Sequence, residues 1–136
     1  MVTWEEVDRL ASRLPEVARG TTRGLLAWKC GDKLFAWERP LRKADLEALG
    51  DRAPEGPILG VRVPDLWSKD ALIAANPAVY FTTPHFNGYA AVLVQLDHIE
   101  TDELEERLIE AWRTRASKRL IGEYDRTRPP EGSEDA

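Results

Sequence analysis

A chain of 136 residues with 43% hydrophobic and 32% charged side chains has the make-up of one soluble globular domain, long enough to bury a core without staples. Its formal charge of −5 argues against a nucleic-acid footprint spread over the whole surface, while leaving room for a local basic patch. The one cysteine, Cys30, excludes an internal disulfide and disfavours a cysteine-rich metal site, and no run approaches the ~18 apolar residues of a membrane span.

Thr3 predicts a helix start, with Glu6 three residues on reaching back in a capping box. Trp4, Val7, Leu10, Ala11 and Leu14 then repeat at helical spacing, and Pro15 helps end the run. This opening stretch is amphipathic and carries acids, unlike a secretory leader, so a cytoplasmic protein is expected. Leu26 to Cys30 and Leu34 to Trp37 read as strands joined around Gly31-Asp32, where glycine accepts the positive φ of a type II′ turn. Lys43 to Leu49 reads as a short helix ended by Gly50, and Asp51 to Pro57 as a loop. Leu59, Val61 and Val63 alternate with Gly60 and Arg62, which predicts a strand with one buried face. Asp65 or Ser68 can cap a helix through Ala75, stopped by Asn76-Pro77. Val79 to Phe81 is a short strand, and Ala90 to Leu96, apolar on both faces, a strand inside the sheet. Thr101 is expected to cap a last long helix whose stripe is Leu104, Leu108, Trp112, Ala116 and Leu120. From Arg126 the composition turns to Pro, Gly, Ser and charge, which predicts a single domain over 1–125 and a disordered tail over 126–136. Strands linked by short turns, with helices at both ends and one between, predict an α+β fold of two layers, an antiparallel sheet with helices packed on one face.

The segment Phe81-Thr82-Thr83-Pro84-His85-Phe86-Asn87-Gly88-Tyr89 concentrates polar and aromatic groups beside a stiff strand, where a site is first sought. His85 has the side chain of a general acid or base, which Thr82, Thr83, Asn87 and Tyr89 could orient. The structural alternative is an extended approach through Thr83-Pro84 and a tight reversal at Asn87-Gly88, with His85 holding the turn. No carboxylate or nucleophile lies within the segment, so catalysis there would need groups supplied by the tertiary fold. His98 after Asp97 reads as a surface or capping histidine, since two further metal ligands at recognisable spacing are lacking. Cys30 has Lys29 and Lys33 nearby, which could lower its pKa, yet it shares the face of Leu26 and Trp28 and reads as core. No metal and no cofactor is expected.

Arg113, Arg115, Lys118 and Arg119 crowd the last helix and could grip phosphates, with Arg39, Arg42 and Lys43 as a second patch. The same helix opens with Asp102, Glu103, Glu105 and Glu106, so its charges equally suit the helix macrodipole. Among the five tryptophans, Trp4, Trp28 and Trp112 sit on apolar faces, whereas Trp37 and Trp67 are candidates for stacking or partner contact.

The His85 loop, Ala91-Val92-Leu93-Val94, Ala111-Trp112-Arg113 and Lys118-Arg119-Leu120 together resemble the carboxyl half of the YjbR/MmcQ family of small bacterial proteins. The amino-terminal helix and the Trp28 to Trp37 hairpin also fit, so the resemblance spans roughly Val2 to Tyr124. It implies a CyaY-like two-layer fold and a DNA-binding label, and places the family's recurrent polar positions on Thr83, His85, Trp112, Arg113, Lys118 and Arg119. Iron binding does not carry over, because Glu5, Glu6 and Asp8 are interrupted by Arg9 and Arg13. The expectation is a non-enzymatic, monomeric DNA-binding or regulatory protein that binds weakly and salt-dependently through Arg113, Arg115, Lys118 and Arg119. A protein-interaction module using exposed aromatics or a sheet edge, and a small-ligand binder or enzyme centred on His85, are the alternatives.

Overall fold

The structure, a computed structural model, describes residues 2–127. Among these residues six antiparallel strands form one sheet: β1 (Val17–Thr22), β2 (Leu25–Cys30), β3 (Lys33–Glu38), β4 (Ile58–Arg62), β5 (Tyr80–Phe81) and β6 (Ala91–Gln95). Their order is β1-β2-β3-β4-β6-β5, a four-stranded meander extended by a returning pair. Among the described residues five α-helices accompany the sheet: α1 (Trp4–Ala11), α2 (Lys43–Leu49), α3 (Leu66–Ala75), α4 (Thr101–Arg113) and α5 (Lys118–Thr127). This is the expected α+β fold.

The period-2 rule of strands sorts the core. Trp28 and Cys30 of β2, Ala36 of β3, Leu59 and Val61 of β4, and Val92 and Val94 of β6 share a face. Val7 and Leu10 of α1 and Leu104, Leu108 and Trp112 of α4 close over it. β3 carries Phe35 as an extra residue where the register with β2 shifts, which adds a second large side chain to this core. Pointing the other way, Ile58 and Leu93 form a smaller cluster with Phe86, against which Trp37, Leu41 and Phe81 pack. β4 is therefore buried on both faces rather than one.

Several local expectations hold in detail. The Thr3 hydroxyl accepts from the Glu6 N–H at 3.2 Å, although the reciprocal half of the expected capping box is not formed among the described residues, and Asp65 caps α3 by accepting from the Ser68 N–H at 2.7 Å. Gly31 takes φ +63° at the first position of the β2–β3 turn.

Four further expectations are corrected. β1 was not expected as a strand, because Ala18-Arg19-Gly20-Thr21-Thr22 is exposed and has no apolar alternation; pairing with β2 makes it an edge strand. The last long helix is two. Thr114 folds its hydroxyl back onto the Ala111 carbonyl at 2.6 Å, and Ser117 starts α5 by accepting from the Leu120 N–H at 3.2 Å. Ala116 and Leu120 still reach the core, but from the break and the second helix. Glu100, not Thr101, occupies the N-cap of α4; the Thr101 hydroxyl lies 3.5 Å from the Glu6 carboxylate, which joins the two helix starts. Finally, α5 runs on through Arg126 and Thr127, and the rest of the expected tail lies outside the described residues.

Candidate functional site

The face of the sheet opposite α1 and α4 carries a cleft of about 380 Å³. Its floor is built by cross-strand partners: Ala27 of β2 lies opposite Trp37 of β3, and Trp37 in turn opposite Gly60 of β4. A Cβ at position 60 would meet the Trp37 ring at 2.5 Å, so glycine is what lets the indole rest against the sheet there. The Trp37 indole N–H has no hydrogen-bond partner among the described residues. Around this floor stand Arg23 from the β1–β2 turn, Glu38, Arg39, Arg42 and the loop residues His85, Phe86 and Tyr89.

The loop is held from below and from the side. Thr83 is extended before Pro84, residues 84–86 make one 3-10 turn, and Gly88 reverses the chain at φ +75°. Buried Lys69 of α3 reaches under it and donates to the Phe86 carbonyl at 2.6 Å and to the Tyr89 carbonyl at 3.0 Å. Burial pushes this ammonium below its ordinary 10.5, and Asp70 pulls weakly the other way. On the other side, Arg39 places its guanidinium 5.2 Å from the Phe86 ring centre while donating to Asp45 at 3.0 Å and to the Pro40 carbonyl at 2.6 Å. Both members of the Arg39–Asp45 pair are buried. Burial alone would raise the Asp45 carboxyl. The Arg42 N–H at 2.8 Å and the Arg39 guanidinium outweigh that and hold it below the usual carboxylate value. The Thr83 hydroxyl also faces this carboxylate, short of well-formed hydrogen-bond geometry.

The loop residues singled out from sequence thus divide by role. Thr83 is buried and Thr82 half-buried, its hydroxyl turned toward the Thr83 carbonyl at 3.5 Å; both shape the loop. Asn87 is exposed and forms the turn through its N–H to the Pro84 carbonyl. His85 and Tyr89 are exposed and line the cleft. His85 sets its ring edge-on to Phe86 with centres 4.8 Å apart and makes no hydrogen bond among the described residues, so it does not act as the turn's fastener. Lys69 does that instead.

The basic residues of the last helices do not form the patch that their spacing suggested. Arg113 is chelated by Asp125 at 2.6 and 3.3 Å and lies over Tyr124. Arg119 is shared between Glu123 at 3.1 Å and Glu16 at 3.7 Å. Arg115 is half-buried, which leaves exposed Lys118 as the freest of the four cations. Trp112, among the recurrent positions that the resemblance pointed to, is fully buried and donates to the Pro15 carbonyl at 3.0 Å. Cys30 is core, with its thiol pushed up by burial against the opposing pull of Trp112 and, less, of Lys33.

Around the cleft the cations are freer. Arg23 and Arg42 are exposed and have no ion pair among the described residues. Arg62 stacks over the Tyr89 ring at 4.7 Å, also without an acidic partner among the described residues. Sequence reasoning passed over Arg23 and Arg62 because they sit alone in their segments. Only the β1–β2 turn and the β4–β6 pairing bring them beside the loop.

Comparison with known proteins supports the fold. A family model described as YjbR matches residues 12–114. An uncharacterized protein of Mycobacterium tuberculosis, Rv2570, is 52% identical over 124 residues, covering 89% of this chain and 94% of the relative. Mb2600 of Mycobacterium bovis, likewise uncharacterized, matches to the same extent. The crystal structure of Deinococcus radiodurans protein DR2400, a DUF419 domain, superposes with a TM-score of 0.65 over 92% of this chain and 89% of that one. At 19% identity, that likeness speaks to the fold alone.

Proposed function

The chain belongs to the YjbR family, and on that premise we propose that it is a non-enzymatic nucleic-acid-binding protein of regulatory role, whose phosphate-contacting surface is the cleft face rather than the last helix. The observation that carries this reading is Arg23 and Arg42 in the lining of an aromatic cleft, with half-buried Arg62 beside it over the Tyr89 ring, all without acidic partners among the described residues, on a protein of net charge −5. An unpaired guanidinium keeps its charge available for phosphate, whereas one chelated like Arg113 must first give up a carboxylate.

Fluorescence anisotropy of labelled DNA, single-stranded and duplex, at low and near-physiological salt tests it. Binding is expected to weaken with salt, and Arg23→Glu/Arg42→Glu to lower the salt slope by about one unit per lost phosphate contact. Reversing Arg113, Arg115, Lys118 and Arg119 together should leave most of the affinity. Abolition by that quadruple change alone would return the phosphates to the last helix. No retention even at low salt would dismiss nucleic acid as the ligand.

A protein partner is the second reading, favoured by Leu66 and Trp67 at the start of α3, where the indole is 79% exposed. A partner co-purifying with the wild type and lost from Trp67→Ala would establish it; identical, partner-free preparations of both would remove it.

A further inference from the structure

The turn between β1 and β2 places Arg23 at φ +54° and Gly24 at φ +81°. Two successive positive φ values are what a two-residue hairpin of type I′ needs, and Asn or Gly is the usual first residue, glycine because it lacks a Cβ and asparagine because its short amide can bond locally. An arginine there is strained, and strain that persists is a pointer to function. This strained arginine stands at the rim of the cleft, facing a set of aromatic groups with unused capacity. Among the described residues the Trp37 indole N–H and both His85 ring nitrogens have no hydrogen-bond partner, and Tyr89 remains 42% exposed. Glu38 is the carboxylate in the lining, and its Oε1 accepts from the Leu26 N–H at 3.0 Å, which leaves Oε2 as an acceptor.

Size narrows the occupant. A cleft of about 380 Å³ lies near the lower end of small-ligand sites, which run from roughly 300 to 1,000 Å³. A duplex presents only its backbone to such a depression, whereas one splayed nucleotide can enter it. Aromatic rings offer stacking to any base, arginines take the phosphate, and an acceptor such as Glu38 suits an exocyclic amine.

We propose that the cleft holds one unpaired nucleotide, its base against Trp37 and Tyr89 and its phosphate on Arg23 and Arg42. The inference deepens the nucleic-acid reading and rests on it. The nucleotide comes either free or as a residue of a single strand, and the chemistry of recognition is the same.

The test compares three labelled probes on the whole protein: a ten-nucleotide single strand, the same strand with abasic positions throughout, and the matching duplex. The ordinary strand is expected to bind roughly tenfold or more tightly than the abasic one, because base stacking is lost. Tyr89→Ala should erase most of that difference, whereas Arg42→Ala should weaken both strands alike and leave their ratio unchanged; both positions are exposed, and circular dichroism would verify that neither change unfolds the protein. Displacement of the strand by adenosine monophosphate well below the concentration needed with inorganic phosphate would point to a free nucleotide as the source. Base-dependent strand binding that the mononucleotide does not disturb would assign the site to the polymer. Equal affinity for ordinary and abasic strands, or tighter duplex binding, would overturn the nucleotide inference while leaving the nucleic-acid reading in place. Failure of all three probes would overturn both.

Discussion

Asp45→Asn is expected to destabilise the protein by about 3–5 kcal/mol, since removing one member of a buried ion pair leaves the other charged and desolvated. The stranded group would be Arg39, whose side chain is 6% exposed. The asparagine carbonyl can still accept from the Arg42 N–H, so the start of α2 should survive while the charge on Arg39 goes uncompensated. Arg39 is also the side chain over Phe86 and part of the cleft wall, so the loop should loosen with it. Urea denaturation at neutral pH measures the loss directly.

The pH dependence supplies an independent check. Asp45 is held below its ordinary 3.8, so the unfolded chain binds its proton more readily than the folded one. Its contribution is fully present above that value and disappears as pH falls through the lower, folded pKa. Wild-type stability should therefore carry an extra acid-side decline below about pH 4 that Asp45→Asn lacks. Parallel acid-side curves for the two proteins would show that the pair is not formed as described.

Trp112→Ala should be comparably costly, at about 3–5 kcal/mol, for a different reason. The indole is fully buried, donates to the Pro15 carbonyl and packs 5.2 Å from the Tyr124 ring centre, so it ties α4 to the segment after α1 and to α5. Truncation leaves a cavity and strips the Pro15 carbonyl of its indole donor, with only the weak Cys30 thiol at 3.9 Å remaining. The denaturation midpoint should fall with little change in slope. Because Trp112 lies on the face opposite the cleft, nucleic-acid affinity measured well below the lowered melting temperature should be unchanged. A matching loss of affinity in a fully folded variant would make Trp112 a contact residue and would undo the division of labour between the two faces.

That division shows where sequence patterns are informative. Leu104, Leu108 and Trp112 recur at a spacing that a helix converts into one face, and Leu59 and Val61 at one that a strand does. These are local rules, so the core could be read in advance. The turn at Gly31, the caps at Thr3 and Asp65 and the reversal at Gly88 were equally legible, because each depends on a few neighbouring residues. The edge strand β1 has no such signature, since its backbone pairs with β2 while its side chains face water. The break between α4 and α5 was hidden by apolar residues that kept their spacing across it.

The chain itself therefore determined its layers, its core face, its family and the existence of an unusual loop at His85, because each is encoded within a few turns of helix or strand. What the loop faces was decided by tertiary structure alone. Arg23, Arg42 and Arg62 come from three separate segments and are joined to His85 and Tyr89 only by strand pairing and by Lys69 beneath the loop. The same holds for the cations that looked most promising. Arg113 meets Asp125 twelve residues on, and Arg119, already paired with Glu123 one helical turn away, also meets Glu16 from across the fold, so their charge is compensated. Whether a charge is available depends on what stands within a few ångströms of it, and that distance is set by the packing of distant segments.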